Sequence, residues 1–364
     1  MPCDMPVARL KGDGVQAAVF YAPGDIRVEN VSEPSPPRGT EVILAPRFGS
    51  ICGTDLHEYV AGPIYFPVDP ATGAVKPQVM GHEFSALVVE TGPEVRGSIR
   101  PGDRVTVCPL NPCGECHLCR GGLGHLCHNM STTGFTHPGG FAEKTTVLEK
   151  QIVSLPDEIS LEQGALMEPT AVGVYAAKRA KLSVGDAVLV TGGGPIGSIV
   201  SLVAMAAGAS QVFVTETNAK RAAKVAALGV TAVFDPRSVD VSGELLERTA
   251  GRGIDVAFEC AGIAAALEDC VLSCRPRGTI AQVALHMGRS SVTPSLWTEK
   301  DLTIVGTWCY ETHDWHQAVG LVAAGSLPVE KVITSYIPLK EVVNSGIKAL
   351  LDPKTAEQKV LVTI

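Results

Sequence analysis

Four cysteines fall close together: Cys113, Cys116, Cys119 and Cys127, spaced C-x2-C-x2-C-x7-C. Two-residue gaps let successive thiolates turn onto one ion, and a fourth from a short loop closes the tetrahedron. Gly114, Gly121, Gly122 and Gly124 supply the tight turns this needs. Four thiolates leave no open position, so the zinc this spacing predicts is structural. The competing readings are a redox pair, a cluster of buried thiols, or a nucleic-acid-binding zinc ribbon. Segment 113–128 carries one Arg, no Lys and one Glu, so it lacks the basic surface a ribbon needs.

Two further constellations bear chemistry. Cys52, Gly81-His82-Glu83 and Met167-Glu168-Pro169 offer a thiolate, an imidazole and carboxylates, a mixed set with room for water or substrate, as an open catalytic zinc requires. Spacing alone does not single them out, because His82 lies 30 residues after Cys52 and Glu168 another 86 on. The third is Gly192-Gly193-Gly194-Pro195-Ile196-Gly197, which fits G-x-G-x-x-G directly after the apolar run AVLVT. Gly192 permits the tight turn, Gly194 lets backbone approach a pyrophosphate, and Gly197 lets helix and strand pack closely. The helix opening at Pro195 and Ile196 presents free N–H groups to phosphate. Glu216 ends the next strand, 24 residues past Gly192, where an acid is expected at about 20. Its carboxylate suits ribose hydroxyls and repels a 2′-phosphate, so NAD is expected and NADP disfavoured. Lys220 and Arg221 follow and would soften that preference unless they only face solvent; Arg221 joins the cofactor-binding candidates.

The elements that must position these residues change character along the chain. Residues 15–150 read as short strands broken by Gly and Pro: 15–22, 41–48, 84–91 and 103–108. From about 187 strands and helices alternate: strands 187–191, 211–215, 232–234, 254–260 and 279–285, with helices over 195–207 and 218–228. This α/β alternation predicts a parallel sheet covered by helices. The 364 residues suggest two domains. With 45% apolar and 19% charged residues the chain is not of a disordered type. A net charge of −8 without a long basic run argues against nucleic acid as a partner. No apolar stretch reaches the roughly 18 residues a membrane helix needs, so no membrane partner is expected. Residues 1–14 read as a loose extension without an apolar signal core, so a cytoplasmic location is expected and the eleven cysteines would stay reduced.

Taken in order, CGTDLHEY (52–59), GHEF (81–84), CGECHLC (113–119) with Cys127, GGFAE (139–143), MEPTAV (167–172) and GGGPIG (192–197) resemble the zinc-dependent medium-chain alcohol dehydrogenases, a family that includes sorbitol and threonine dehydrogenases. HEY followed by AGPI (61–64), VDPATG (68–73) and FECAG (258–262) are similar to its (R,R)-2,3-butanediol dehydrogenase members. The resemblance implies a GroES-like β-barrel catalytic domain over 1–168, completed by 308–364, and a Rossmann domain over 169–307. It implies two Zn2+ per chain: a catalytic ion held by Cys52, His82 and a glutamate, with Glu83 and Glu168 both candidates, and a structural ion on the four lobe cysteines.

The resemblance also implies the reaction: hydride transfer between a secondary alcohol, such as a vicinal diol, and NAD, giving the ketone. Thr54 and His57 match the family's proton relay, and Asp55 would orient His82. Trp308, Tyr310 and loop 131–138 depart from the butanediol pattern. A bulkier cyclic secondary alcohol, such as a hydroxylated terpene, or a polyol is therefore the alternative substrate. A nucleotide-binding relative without catalysis is the alternative of another class. A homo-oligomer, dimer or tetramer, is expected from the family.

Overall fold

The computed structural model describes residues 14–364; most of the expected N-terminal extension, and Cys3 with it, lies outside them. The chain divides into two units. One runs to Glu168 and includes Ile333–Ile364, and the other is Pro169–Val332.

The first unit opens with β1 (Val15–Ala22), β2 (Asp25–Val31), β3 (Glu41–Ser50), α1 (Gly53–Ala61), β4 (Gln78–Val79), β5 (Phe84–Thr91) and β6 (Arg104–Val107). β1 lies between β2 and β4 in a small antiparallel sheet. β3 alternates toward a core containing Val42, Leu44, Phe84, Ala86 and Val105. Its register against β5 shifts on either side of Pro46, which has no N–H to donate. The cysteine lobe follows: β7 (Leu110–Asn111) pairs with β8 (Ser131–Thr132), and α2 (His117–Arg120) lies in the connection. β9 (Thr145–Leu148) and β10 (Ile152–Ser154) then pair with β3 and β6. The short α3 (Leu161–Gly164) leads to α4 (Met167–Arg179).

The second unit holds β11 (Ala187–Thr191), α5 (Pro195–Ala206), β12 (Gln211–Thr215), α6 (Ala219–Ala226), β13 (Ala232–Phe234), α7 (Val241–Arg248), β14 (Ile254–Glu259), α8 (Ala264–Ser273), β15 (Cys274–Gln282), α9 (Pro294–Glu299), β16 (Thr303–Gly306) and α10 (Thr312–Ala323). Its six strands are parallel, in the order β13-β12-β11-β14-β15-β16. The buried run AVLVT is what a central parallel strand, covered on both faces, requires. β15 starts and ends earlier than the apolar run 279–285 predicts. Val283 and Ala284 instead leave the ladder and donate to the Glu259 carbonyl at 3.0 and 2.9 Å.

The chain returns to the first unit at Ile333, not at 308 as the sequence reading had it. Residues 308–332 stay with the Rossmann-like unit because their apolar side chains are used there. Tyr310 and Trp315 are both 1% exposed and pack edge to face at 5.2 Å. β17 (Ile333–Pro338) and β18 (Lys359–Thr363) then pair in parallel, and β18 runs antiparallel to the end of β3. The large sheet of the first unit thus has the order β10-β6-β5-β3-β18-β17, with β9 also on β3.

Candidate functional site

The four lobe sulfurs converge. Cys113–Cys127 and Cys116–Cys119 are 3.5 Å apart, and Cys113–Cys119 and Cys116–Cys127 are 3.9 Å apart. A tetrahedron with Zn–S bonds of about 2.3 Å has edges of about 3.8 Å, so the set fits zinc. Backbone N–H groups already point at the sulfurs, from Cys119 to Cys116 at 3.5 Å and from Cys113 to Cys127 at 3.4 Å. The Cys119 N–H is the main cause that lowers the Cys116 thiol to about 6.

A second set of ligand atoms, from Cys52, His82 and Glu83, lies within 4.8 Å of one another. β3 and β5 bring it together. Cys52 follows β3 and caps α1, its Sγ accepting the Thr54 N–H at 3.5 Å while Asp55 accepts the Cys52 N–H at 2.9 Å. His82 and Glu83 precede β5, after Gly81 at φ +96°, where a Cβ would stand 2.6 Å from the Phe141 nitrogen. The Ser50 N–H donates to the Glu83 carbonyl at 2.9 Å, which fixes the two segments side by side.

Within this set, His82 Nδ1 lies 3.7 Å from Asp55 Oδ1, and the Phe135 ring packs against the imidazole at a tilt of 33°, centroids 4.7 Å apart. Burial opposes a charge on His82, yet Asp55, Cys52 and Glu83 hold its pKa up at about 10. Surroundings that retain a proton so firmly are those a divalent cation would occupy. Glu83 Oε1 is buried without a hydrogen-bond partner among the described residues, which leaves it free to ligate a cation.

The sequence reading missed two residues here, Lys359 and Ser50. Lys359 is 1% exposed; its ammonium pairs with Glu83 and donates to the Ile51 carbonyl at 3.1 Å, and Ser50 Oγ donates to Glu83. Burial works against the Lys359 charge, but Glu83 and Cys52 raise its pKa above the ordinary lysine value. Glu168, half-buried in the first turn of α4, is outside the converging set but within electrostatic reach of Lys359. Thr54 Oγ1 is 3.7 Å from Cys52 Sγ. His57 is half-buried on α1, and burial lowers its pKa. Trp308 is 40% exposed, whereas Tyr310 is a packing residue of the second unit.

In that unit the glycine loop joins β11 to α5. Gly192 has φ +90°, a Cβ on Gly197 would stand 1.9 Å from the Gly192 carbonyl oxygen, and the space a Gly194 side chain would fill is open. Pro195 begins α5, whose first turn, including Ile196, leaves N–H groups for an anion. Glu216 is tied to the loop, accepting the Gly193 N–H at 3.0 Å and the Asn218 N–H at 2.7 Å. Arg221 follows in α6, its Nε buried with no partner among the described residues. The arrangement fits a dinucleotide with its pyrophosphate at the α5 N-terminus.

Comparison with known proteins agrees with both units. Residues 38–157 match the alcohol dehydrogenase GroES-like domain, and residues 195–324 match the zinc-binding dehydrogenase domain. The chain is 37% identical over 353 residues to a (R,R)-butanediol dehydrogenase of Bacillus subtilis, covering 96% of this chain and 99% of that protein. A Neisseria gonorrhoeae protein of the same name is 35% identical over 96% of this chain and 99% of its own length. Among solved structures, the 2R,3R-butanediol dehydrogenase of Bacillus subtilis superposes with a TM-score of 0.88 at 36% identity, covering 96% of this chain and all of that one. A zinc-binding dehydrogenase of Sinorhizobium meliloti bound to NADP gives 0.87 at 29% identity, covering 97% and 100%. The chain is an oxidoreductase of the zinc-dependent medium-chain alcohol dehydrogenase family.

Proposed function

We propose that this enzyme interconverts a short secondary alcohol, with a vicinal diol such as 2,3-butanediol as the leading substrate, and its ketone, using NAD. The convergence of Cys52, His82 and Glu83 around an unsatisfied carboxylate oxygen carries this reading. Cys52, His82 and a glutamate would hold the catalytic zinc, with Glu83 favoured by its place in the set and Glu168 the alternative. The four lobe cysteines would hold the second ion. When bound, the catalytic zinc supplies Lewis acidity that lowers the alcohol's pKa, and NAD supplies the hydride acceptor.

The chain's own residues do the rest. Asp55 faces His82 Nδ1 and leaves Nε2 for the metal. Thr54, beside Cys52, takes the alcohol proton as its own hydroxyl proton moves on toward His57, which passes it to solvent; the lowered pKa of His57 keeps it neutral and ready to accept near pH 7. Phe135, packed against His82, gives the pocket an apolar wall. That wall favours an alkyl substituent over a polyol chain, whose hydroxyls would lose water there without replacement.

Gly192, Gly194, Pro195, Ile196 and Gly197 cradle the pyrophosphate, and Glu216 with Arg221 takes the adenosine ribose. The Glu216 charge favours NAD over NADP. The ten described cysteines are all free, which supports a reducing, cytoplasmic location. No helix among the described residues is long and apolar enough to cross a membrane. β16 is a sheet edge with Ile304 39% exposed, which supports assembly into a homo-oligomer.

The test is metal analysis together with a substrate panel. About two zinc ions per chain, and reduction of NAD by acyclic diols in preference to polyols and cyclic alcohols, are expected. Zinc-free protein that retains full activity refutes the mechanism.

A further inference from the structure

Glu259 ends β14 and is fully buried. Strand order turns between β11 and β14, so loops leaving these strands border the crevice in which a sheet of this kind holds its ligand. One oxygen of Glu259 accepts the N–H groups of Ala261 and Gly262 at 2.9 and 2.8 Å. The other accepts Gln282 Nε2 at 2.6 Å and lies 3.0 Å from His286 Nε2. His286 Nδ1 is in turn 2.5 Å from Ser290 Oγ. With Nε2 protonated, the imidazole donates to Glu259 and accepts from Ser290. The two loops also touch directly, since a Cβ on Gly262 would stand 2.9 Å from the Leu285 carbonyl oxygen. On its other side the 260–263 loop meets the glycine loop, where a Cβ on Gly192 would stand 3.1 Å from Ala261. One buried carboxylate therefore ties together the two loops beyond β14 and β15, next to the phosphate-binding turn. His286 is the tether of a segment whose Leu285, Met287, Gly288 and Arg289 are exposed.

We infer that Glu259 and His286 are positioning residues for the nicotinamide half of the dinucleotide. The inference rests on the reading of this unit as a dinucleotide site. The glycine loop and Glu216, on the β11–β12 side of the switch point, take the pyrophosphate and adenosine. The other half must then lie against the loops of β14 and β15, which these two side chains hold in register.

The experiment compares NADH with ADP-ribose, which lacks the nicotinamide. Binding to the zinc-loaded enzyme and to its Glu259→Gln, His286→Phe and His286→Gln variants is measured by fluorescence and calorimetry. Glu259→Gln and His286→Phe should weaken NADH about tenfold, or about 1.4 kcal/mol, raise KM for NAD in parallel, and leave ADP-ribose within about twofold. His286→Gln, which keeps a donor toward Glu259, should recover part of the loss. Equal weakening of both ligands, or of neither, overturns the inference. Wild-type enzyme that binds neither ligand overturns the dinucleotide reading itself. Should Glu259→Gln fail to fold, the two His286 variants decide alone.

Discussion

Replacing Lys359 by Met should unfold the first unit far more easily than its location in a C-terminal strand suggests. The ammonium is 1% exposed and faces the equally buried Glu83, with the Ile51 carbonyl as its other acceptor. Met fills similar volume, so the lost contribution is charge pairing. Removing one partner of a buried pair costs about 3–5 kcal/mol, because the other charge stays buried without compensation. For a domain of this size each kcal/mol moves Tm by about 2–4 °C, so a fall of roughly 6–20 °C is expected. Urea denaturation of the metal-free protein, followed through the first unit, gives the free energy directly, because a zinc ion on Glu83 would itself offset the charge. The double variant Lys359→Met/Glu83→Gln should regain a large part of the loss, since its neutral amide no longer leaves a bare charge. A loss below about 1 kcal/mol for Lys359→Met, or a double variant as unstable as the sum of the two single ones, refutes the argument.

Three further outcomes are expected. Cys119→Ser should lower zinc content by about one ion per chain, and calorimetry should show the first unit melting earlier while NADH still binds the second. His57→Asn should lower kcat near neutral pH and remove the limb of the pH–rate profile that follows imidazole deprotonation. In the parent enzyme that limb lies below the ordinary histidine pKa of about 6.5, because burial lowers the His57 value. Asp255 is penalised by burial, but Arg275, the Ala187 N–H and Arg252 bring its pKa below the ordinary carboxylate value. A depressed carboxylate stabilises the fold above its unfolded pKa of about 3.9 and loses that contribution as pH falls through the folded value. Asp255→Asn should therefore cost about 2 kcal/mol at pH 7, with the gap closing in acid titrations of stability only as pH falls below the ordinary carboxylate range.

The site was legible in the sequence where the physics is local. The cysteine lobe and the glycine loop each complete their geometry within a few residues, so spacing alone conveys it. The Cys52, His82 and Glu83 grouping needed two strands laid side by side, and only a family resemblance could supply that. Lys359 was missed because its partner Glu83 is 276 residues away. The faint signal was a lysine inside the otherwise apolar strand KVLVT, where an unpaired charge would be costly. Tyr310 misled in the other direction. An aromatic side chain near a cofactor sheet suggests a substrate contact, but burial against Trp315 accounts for it. The domain return was placed too early for the same reason, since apolar residues in 308–332 pack equally well in either kind of unit until their neighbours are known.

The insertion of Pro169–Val332 into the first unit has a consequence for biosynthesis. The second unit is one continuous stretch, so all of its strands have been made before β17 and β18 emerge. The first cannot finish, because the neighbour of β3 is β18 and the counter-ion of Glu83 is Lys359. During the time the ribosome needs for the intervening residues, residues 48–50 of β3 lack their partner strand β18 and Glu83 stays without its cation. The unit that carries both candidate ligand groups is thus begun first and completed last, and the Cys52, His82 and Glu83 set waits on the final strand before its surroundings close.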